Sequence, residues 1–171
     1  SDAGMRGGKV IPYKKIVDEA CELAEHRPEN LLLINRKISN FQTVLNRDID
    51  YDQFKKNVRQ DTLQCEKLLS TDPSYILYTS GTTGVPKGIQ RDVGGYAVAL
   101  STSMKLIYDC NPGEVFFCAS DIGWVVGHSY LVYAPLINGS TSILYEGLPT
   151  NPDPGIWWSL VEKYKVATMF T

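Results

Sequence analysis

The spacing of apolar residues along the chain predicts alternating strands and helices from residue 75 onward. Short apolar runs of the kind that fill buried strands lie at residues 75–79, 115–119, 142–145 and 166–170. Helices are predicted between them, at about residues 95–108, 128–136 and 154–165. Strands that alternate with helices favour parallel pairing and right-handed crossovers. The pattern therefore predicts an α/β fold with a doubly wound, mostly parallel sheet.

The N-terminal part of the chain has a weaker pattern. A helical stripe predicts a helix at residues 11–25, and an apolar run predicts a short buried strand at residues 31–34. Residues 1–70 hold 12 of the 17 Lys and Arg and 11 of the 19 Asp and Glu. Because charged residues concentrate there, we expect residues 1–70 to be a peripheral segment and residues 71–171 to be an α/β subdomain with its own core.

Composition narrows the classes of function. The formal net charge is −2, which gives no reason to expect nucleic acid or an anionic membrane as a partner. No apolar run approaches the roughly 20 residues that a membrane-spanning helix needs. The four cysteines are widely spaced and the two histidines lie far apart, so the sequence predicts free thiols in a reducing compartment and no metal site.

The most informative segment is residues 78–88, with the sequence Y-T-S-G-T-T-G-V-P-K-G. Backbone N–H groups and hydroxyls donate to phosphate oxygens and an ammonium group neutralises their charge, so the segment suits a polyphosphate. We expect it to connect the strand at residues 75–79 to a helix, at the carboxyl end of the strand, where ligands bind in open α/β sheets. The alternative is a solvated turn of Gly, Ser and Thr.

The segment differs from the P-loop of NTPases, because Lys87 follows Pro86 and precedes Gly88, where that motif has Gly and then Ser or Thr. Its eleven residues instead resemble the phosphate-binding loop of the adenylate-forming superfamily, which includes acyl-CoA synthetases and luciferases. The resemblance implies that seven residues hold the ATP phosphates: Thr79, Ser80, Gly81, Thr82, Thr83, Gly84 and Lys87. For Lys87 alone, the alternative is a solvated loop lysine.

A second segment resembles the short-chain branch of that superfamily, the acetyl- and propionyl-CoA synthetase type. Residues 120–130, S-D-I-G-W-V-V-G-H-S-Y, resemble the acyl-pocket segment of those enzymes. The resemblance implies that the acyl group is lined by Trp124, Val125 and Val126, for which ordinary core packing is the alternative. For His128, a bond to the backbone or a helix cap is favoured over catalysis. Trp157 and Trp158 are expected to pack on a sheet.

A third segment, residues 4–9 with the sequence G-M-R-G-G-K, resembles the part of the same enzymes that reaches coenzyme A. The resemblance implies that Arg6 and Lys9 bind coenzyme A near its 3′-phosphate, and a mobile basic arm is the alternative. The similarity extends over nearly the whole chain, with residues 35–65 the least distinctive.

The resemblance implies an ATP-dependent ligase that forms an acyl-adenylate and then an acyl-CoA from a short-chain carboxylate, with propionate expected and acetate as the alternative. ATP, Mg²⁺ and coenzyme A are the implied cofactors, and the partners are small molecules, with no nucleic acid and no membrane. The expected location is the cytoplasm, or the mitochondrial matrix in a eukaryote. A different adenylating enzyme and a non-catalytic nucleotide- or acyl-CoA-binding module are the other hypotheses.

The resemblance also implies that the chain is a fragment, a partial subdomain of the N-terminal domain of such an enzyme. No catalytic residue is expected within it, because the catalytic lysine of the family belongs to a C-terminal domain. The apolar run at residues 166–170 at the end of the chain agrees with a fragment. We therefore expect the 171-residue chain to be inactive alone.

Overall fold

The computed structural model describes residues 1–58, 63–80 and 84–171. They form two compact units, which are described separately. Unit 1 consists of residues 1–64 and 146–151, and unit 2 consists of residues 65–145 and 152–171. Within the described ranges, no helix combines the length and the apolar composition that crossing a membrane would require.

Unit 1 begins with an antiparallel hairpin of β1 (Gly4–Arg6) and β2 (Lys9–Ile11), joined by Gly7 and Gly8. Both glycines have positive φ, 56° and 78°. A two-residue hairpin turn needs this conformation to match the twist of its strands, and glycine adopts it without steric cost. The sequence pattern did not predict this hairpin, because strands of three residues are too short to show periodicity.

Helix α1 (Tyr13–Leu23) follows, and β3 (Leu31–Leu33) pairs in parallel with β4 (Asp48–Asp50). Helix α2 (Tyr51–Asn57) comes directly after β4, and the Asp50 carboxylate caps it by accepting from the Gln53 N–H. The helix predicted at residues 11–25 and the strand predicted at residues 31–34 are confirmed, but the expected burial of the strand is wrong, because Leu32 is 49% exposed and only Leu33 is buried.

Four charged side chains form a buried network in unit 1. The Lys14 ammonium lies 2.6 Å from Asp18 Oδ1 and 2.9 Å from Asp48 Oδ2, and the side chains of Lys14 and Asp48 are only 2% and 1% exposed. Arg47 Nε lies 2.7 Å from Asp48 Oδ1, and another guanidinium N–H donates to Asp18. Two cations thus compensate two carboxylates, which burial of charge requires. The network joins α1 to the chain around β4.

A second buried carboxylate, that of Asp2, shapes the loop after β3. It accepts from the backbone N–H groups of Arg36 and Ile38, both at 2.8 Å, and of Ser39 at 3.1 Å. Burial opposes ionisation of Asp2, but these donors outweigh it and hold the pKa of Asp2 well below its usual range. A carboxylate thus fixes a loop whose own sequence has no periodic pattern.

Unit 2 contains a second antiparallel hairpin, formed by β5 (Pro73–Thr79) and β6 (Lys87–Asp92). The strand predicted at residues 75–79 is confirmed, but the expected burial is wrong, because Ile76 and Tyr78 are 57% and 71% exposed. The expectation that a helix directly follows the glycine loop is wrong, because β6 intervenes. The sequence of β6, K-G-I-Q-R-D, has one strongly apolar residue, so its strand conformation comes from pairing with β5 rather than from local preference.

Helix α3 (Val93–Leu106) begins directly after β6. The Asp92 carboxylate accepts from the N–H groups of Gly95 and Tyr96, which is the arrangement of a helix N-cap. The helix predicted at about residues 95–108 is confirmed, with its start two residues earlier.

The parallel sheet of unit 2 has three strands. β7 (Val115–Cys118) lies between β8 (Thr141–Ser142) and β9 (Val166–Phe170). The α/β class and the parallel pairing are confirmed, but the strand predicted at residues 142–145 overlaps β8 only at Ser142. The described strands of the whole chain lie in four small sheets, two of them antiparallel hairpins. A single doubly wound sheet is therefore not confirmed.

A helical segment with a wide turn lies between β7 and β8. It consists of α4 (Val125–Gly127), a π-helical turn (His128–Tyr133) and α5 (Ala134–Asn138). It agrees with the helix predicted at residues 128–136. The last helix, α6 (Ile156–Tyr164), also agrees with its prediction and leads into β9.

The π-helical turn has a cause in the sequence. Pro135 has no N–H to donate to the Leu131 carbonyl four residues earlier, and its ring would clash with that group in a regular helix. The helix widens instead, with the Ala134 N–H donating to the Ser129 carbonyl. The Leu131 carbonyl accepts from the hydroxyl of Ser142 at 2.8 Å, so β8 supplies the missing donor.

The core of unit 2 is formed by buried side chains from α3, the connection that follows it, β7 and the helical segment: Leu100, Met104, Cys110, Phe116, Cys118, Leu131 and Ala134. Trp157 of α6 packs edge-on against Phe117, with ring centroids 6.1 Å apart, as expected for packing on a sheet. Trp158 is 67% exposed, so the same expectation is wrong for it.

The charge network of unit 1 predicts a specific response to acid. Burial opposes ionisation of Asp48, but hydrogen bonds from Arg47, the Val44 N–H and Lys14 outweigh it and lower the pKa of Asp48 to about 2. Because the pKa is lower in the folded state, Asp48 stabilises the fold above about pH 4 and loses this effect as the pH falls toward 2. We expect Asp48→Asn to lower the free energy of unfolding at pH 7 by roughly 3–5 kcal/mol and to flatten the acid dependence.

Urea unfolding of the chain between pH 2 and pH 7 measures both effects. The matched control is Glu19→Gln. Glu19 pairs with Lys15 at 3.9 Å on the exposed surface of α1, the helix that also carries Lys14 and Asp18 of the network. An exposed pair contributes about 1 kcal/mol or less. An Asp48→Asn variant that is as stable as Glu19→Gln at pH 7 would contradict a structural role of the network.

Candidate functional site

The glycine-rich loop connects β5 to β6 and forms the turn end of this hairpin. Thr79 ends β5 and Lys87 begins β6, and they are partners across the ladder, so their side chains lie on the same face. Thr79, Ser80 and Lys87 are all exposed. Gly84 has φ +78°, and no described atom other than those of its chain neighbours lies within 4 Å of where a Cβ would be. Gly81, Thr82 and Thr83, which belong to the same predicted site, lie outside the described residues.

This geometry suits an anionic ligand. The exposed hydroxyl of Thr79 and the exposed ammonium group of Lys87 belong to paired residues at the two ends of the loop, where both can reach a group bound over it. Open space around Gly84 lets a ligand approach the backbone closely. The loop differs from a strand-to-helix phosphate loop because antiparallel pairing, not a helix N-terminus, fixes its two ends.

The predicted pocket segment begins α4. Trp124 precedes this helix and is 67% exposed, so it is available to a ligand and has no core role. Val125 and Val126 are half-buried, and Val126 also packs against the core of unit 2. The position of the segment therefore depends on the core of unit 2, whereas Trp124 is exposed to solvent.

The sequence analysis did not single out Gly127, although it lies in the segment that carries the resemblance. A Cβ on it would lie 2.1 Å from the Asp121 carbonyl oxygen and 2.7 Å from Ile122 Cα. Both are backbone atoms, which cannot move away as a flexible side chain can. Glycine at this position therefore allows the loop at residues 121–124 to pack directly against α4.

The ring of His128 binds the backbone, as the sequence analysis favoured. Its Nδ1 lies 3.1 Å from the carbonyl oxygen of Trp124. A carbonyl can only accept, so Nδ1 carries the proton in this bond. The ring also stacks on Tyr75 of β5, with centroids 5.6 Å apart. His128 thus fixes the backbone at Trp124 and packs against the strand that leads to the glycine loop.

An aromatic cluster supports both segments, and sequence reasoning missed it. Tyr75 stacks on Tyr133 at 5.7 Å and meets Tyr96 edge-on at 5.6 Å. These residues come from β5, the π-helical turn and α3, which lie far apart in sequence. Their aromatic character was the only signal available, and it did not indicate which of the ten tyrosines would meet.

The basic hairpin of unit 1 is held by a carboxylate. Arg6 and Lys9 are exposed partners that flank the Gly7–Gly8 turn. In the adjacent strand position, the Met5 N–H donates to Glu146 Oε1 at 3.2 Å, and Arg36 binds the same carboxylate through two N–H groups. The bond with Arg36, aided by the Met5 N–H, lowers the pKa of Glu146 to about 2. A hairpin with an exposed cation on each strand is thus anchored by an ionised partner.

No cluster of three or more His, Cys, Asp or Glu side chains suited to a metal ion occurs in the part of the chain that the structure describes. The four cysteines are free thiols, and three of them are buried. The free cysteines agree with the sequence analysis, which predicted unpaired thiols.

A glycine-rich loop with an ammonium and hydroxyls at its ends, carried by an α/β unit, is typical of a nucleotide-binding protein. The family described as AMP-binding enzyme matches residues 10–171, and the chain belongs to that family. The resemblance to the adenylate-forming superfamily is thereby confirmed.

Individual relatives show which members of this family the chain is similar to. Propionate–CoA ligase of Escherichia coli (strain K12) is 56% identical over 171 residues, which are 100% of this chain and 27% of that protein. Acyl-CoA synthetase short-chain family member 3, mitochondrial, of Homo sapiens is 45% identical over 98% of this chain and 24% of that protein. Acetyl-coenzyme A synthetase of Bartonella quintana (strain Toulouse) is 41% identical over 100% of this chain and 26% of that protein. The chain spans about a quarter of the length of the curated relatives it matches.

The close approach at Gly127 generates a prediction. We expect Gly127→Ala to destabilise unit 2 by about 3 kcal/mol or more, the upper end of overpacking effects, because a methyl group would meet backbone at 2.1 Å. Urea unfolding gives the loss of stability, and amide hydrogen exchange of residues 121–129 shows whether the pocket segment opens first.

The control is Gly123→Ala in the same loop, where the nearest atom is a side-chain oxygen of Asp121 at 3.2 Å that can rotate away. It should cost less than about 1 kcal/mol. Equal stability of the two variants would mean that the loop moves freely away from α4.

Proposed function

We propose that the complete protein is an ATP-dependent acid–CoA ligase that acts on a short-chain carboxylate, with propionate as its preferred acid. The observation that carries the proposal is the similarity of this chain, over its full length, to relatives named propionate–CoA ligase. The exposed glycine loop with Thr79 opposite Lys87 supports it from the geometry. Acetate is the alternative acid, because acetyl-coenzyme A synthetases match as well.

In the first half-reaction, a carboxylate oxygen attacks the α-phosphorus of ATP. The new P–O bond forms as the bond to the bridging oxygen of the β-phosphate breaks, which gives acyl-adenylate and pyrophosphate. Such a transfer needs positioning and charge stabilisation more than covalent help from the protein. The role of Lys87 is to neutralise charge on the departing pyrophosphate, with hydroxyls of Thr79 and Ser80 as donors. Mg²⁺ enters bound to ATP, as part of the substrate.

The remaining residues of the proposed phosphate cradle are Gly81, Thr82, Thr83 and Gly84. The hydroxyls of the two threonines add donors of the same kind, and the glycines allow backbone N–H groups to approach the phosphates. The antiparallel hairpin holds both ends of this cradle. Binding of ATP therefore carries no additional conformational entropy cost for ordering the two loop ends.

In the second half-reaction, the sulfur of coenzyme A attacks the acyl carbon. A C–S bond forms, the C–O bond to the phosphate breaks, AMP leaves with the electron pair, and the thiol proton is released. Arg6 and Lys9 would bind the anionic phosphate end of coenzyme A by charge. Their hairpin is suited to this because its tip is exposed while its strand is anchored through Glu146.

The acyl tail is proposed to contact the segment at Trp124. Val125 and Val126 form its apolar wall, and Trp124 borders the path of the pantetheine arm. One additional methylene in such a pocket changes binding by only about 1–3 kcal/mol, so the preference for propionate over acetate should be modest. The proposed location is the cytoplasm, or the mitochondrial matrix in a eukaryote, and the proposed partners are small molecules.

Two variants of the complete protein separate the half-reactions. Lys87→Ala should slow adenylation more than tenfold, equivalent to at least about 1.4 kcal/mol, because it loses the cation at the leaving group. It should leave thioester formation from supplied acyl-adenylate almost unchanged. Arg6→Ala is the reciprocal control: it should raise the KM for coenzyme A and spare adenylation.

Pyrophosphate exchange measures the first step, and acyl-CoA formation from synthetic propionyl-adenylate measures the second. Equal losses in both steps for Lys87→Ala would mean that the lysine is structural. Binding of ATP without any adenylate, by an otherwise folded complete protein, would favour a non-catalytic nucleotide-binding module.

The pocket wall can be tested through acid preference. Val126→Ala should raise the ratio of kcat/KM for butyrate over propionate several-fold, because each methylene that finds apolar contact contributes about 0.8 kcal/mol. Trp124→Ala should impair both half-reactions and relax the preference. Competition among acetate, propionate and butyrate measures the ratios.

Val126 also packs against the core, so a control for loosened packing is needed. Val132 is a partly buried valine against the same core, four residues beyond His128. Val132→Ala should lower stability to a similar extent and leave the acid preference unchanged. An unchanged preference in Val126→Ala would place the acyl tail elsewhere.

A further inference from the structure

A series of hydrogen-bonded hydroxyl groups, called the hydroxyl chain below, crosses unit 2. The Tyr75 hydroxyl on β5 lies 3.0 Å from the Tyr96 hydroxyl on α3. The Tyr96 hydroxyl lies 2.7 Å from Ser129 Oγ in the π-helical turn, and Ser129 Oγ lies 2.7 Å from the Val125 carbonyl oxygen. The hydroxyl chain thus runs from the strand before the glycine loop to the backbone of the proposed pocket wall.

Counting the protons of these groups shows in which direction the hydrogen bonds of the hydroxyl chain are donated. The Val125 carbonyl can only accept, so Ser129 uses its single hydroxyl proton there. Tyr96 must then donate to Ser129, and Tyr75 must donate to Tyr96. Bonds that all point one way polarise and strengthen one another. Burial raises the pKa of Tyr96 to about 12, so its proton stays in place throughout the neutral range.

The side chains of this network have little freedom to move. Ser129 is only 6% exposed. The Tyr75 ring is stacked on His128 and on Tyr133, with interplanar angles of 22° and 11°. The Arg91 guanidinium lies 5.7 Å from the centre of the Tyr96 ring. The hydroxyls are therefore held in fixed positions by the aromatic packing.

Helix α4 needs such support. It is the first turn of the helical segment that runs from residue 125 to residue 138, and helix ends fray more readily than helix interiors. The Val125 carbonyl accepts from the His128 N–H and from Ser129 Oγ, so the hydroxyl chain adds a bond from outside α4. Removing that bond would let Val125 and its neighbour Val126 shift relative to the core.

We propose that Tyr96 and Ser129 are positioning residues that set acyl-chain selectivity by fixing the backbone of the pocket wall at Val125. This proposal rests on the proposed function. Neither residue has to contact the acid. Discrimination of one methylene depends on how closely the wall fits the tail, so a small shift of the wall changes the preference more than it changes turnover.

The test is Tyr96→Phe in the complete protein, which keeps the ring and removes only the hydroxyl. The ratio of kcat/KM for propionate over butyrate should fall about three- to tenfold, the effect of one buried hydrogen bond on fit. The KM for ATP should change less than twofold. Ser129→Ala should produce the same fall, and the double variant should add nothing further, since both act through one bond to Val125.

The matched control is Tyr130→Phe. The Tyr130 hydroxyl donates to Ser103 Oγ at 3.0 Å, so it also links the π-helical turn to α3, but it does not touch Val125. It should cost similar stability and leave the acid preference unchanged. A fall of the ratio in Tyr130→Phe equal to that in Tyr96→Phe would show general loosening and overturn the proposal, as would an unchanged ratio in Tyr96→Phe.

The wild-type protein separates this proposal from the one on which it rests. Wild type that converts none of the three acids would refute the proposed function and the selectivity role together. Active wild type with a ratio that Tyr96→Phe and Ser129→Ala leave unchanged would refute only the positioning role.

Discussion

Segments that bind a charged nucleotide must be exposed, so their conformation has to be held by neighbours that are buried or paired. The structure meets this constraint in three ways. The glycine loop is closed by the ladder pairing of Thr79 with Lys87. The basic hairpin is anchored by Glu146, and α4 is held by direct backbone packing at Gly127. In each case the groups proposed to meet ligand differ from the groups that fix the segment.

Charge in unit 1 has a role opposite to the one its abundance suggested. An excess of Lys, Asp and Arg normally indicates a solvated surface, yet Lys14 and Asp48 are among its most buried side chains. Burying one charge is costly, and the cost is offset only when partners supply both opposite charge and hydrogen bonds. Unit 1 therefore depends on polar pairing, whereas unit 2 has an apolar core around Phe116 and Met104.

The two proposed binding segments of unit 2 share supports without sharing residues. Tyr75 lies on the strand that enters the glycine loop and also stacks on His128, whose ring binds the carbonyl of Trp124. The proposed phosphate loop and acyl wall are thus held by one aromatic cluster. Substitutions in the glycine loop should change the binding of the ATP phosphates. Substitutions in the aromatic cluster should change how closely the acyl wall fits the acyl tail.

Local sequence determined the elements whose signals are local. The apolar runs at residues 115–119 and 166–170 and the helical stripe at residues 154–165 needed no partner to be identified. The glycine loop indicated the family, since its residue order is rare. Tertiary structure alone decided that β6 is a strand, that Asp2 folds a loop 34 residues away, and that Tyr96 meets Ser129, 33 residues further on. These contacts depend on three-dimensional packing between distant residues, which no local pattern of apolar and polar positions can encode.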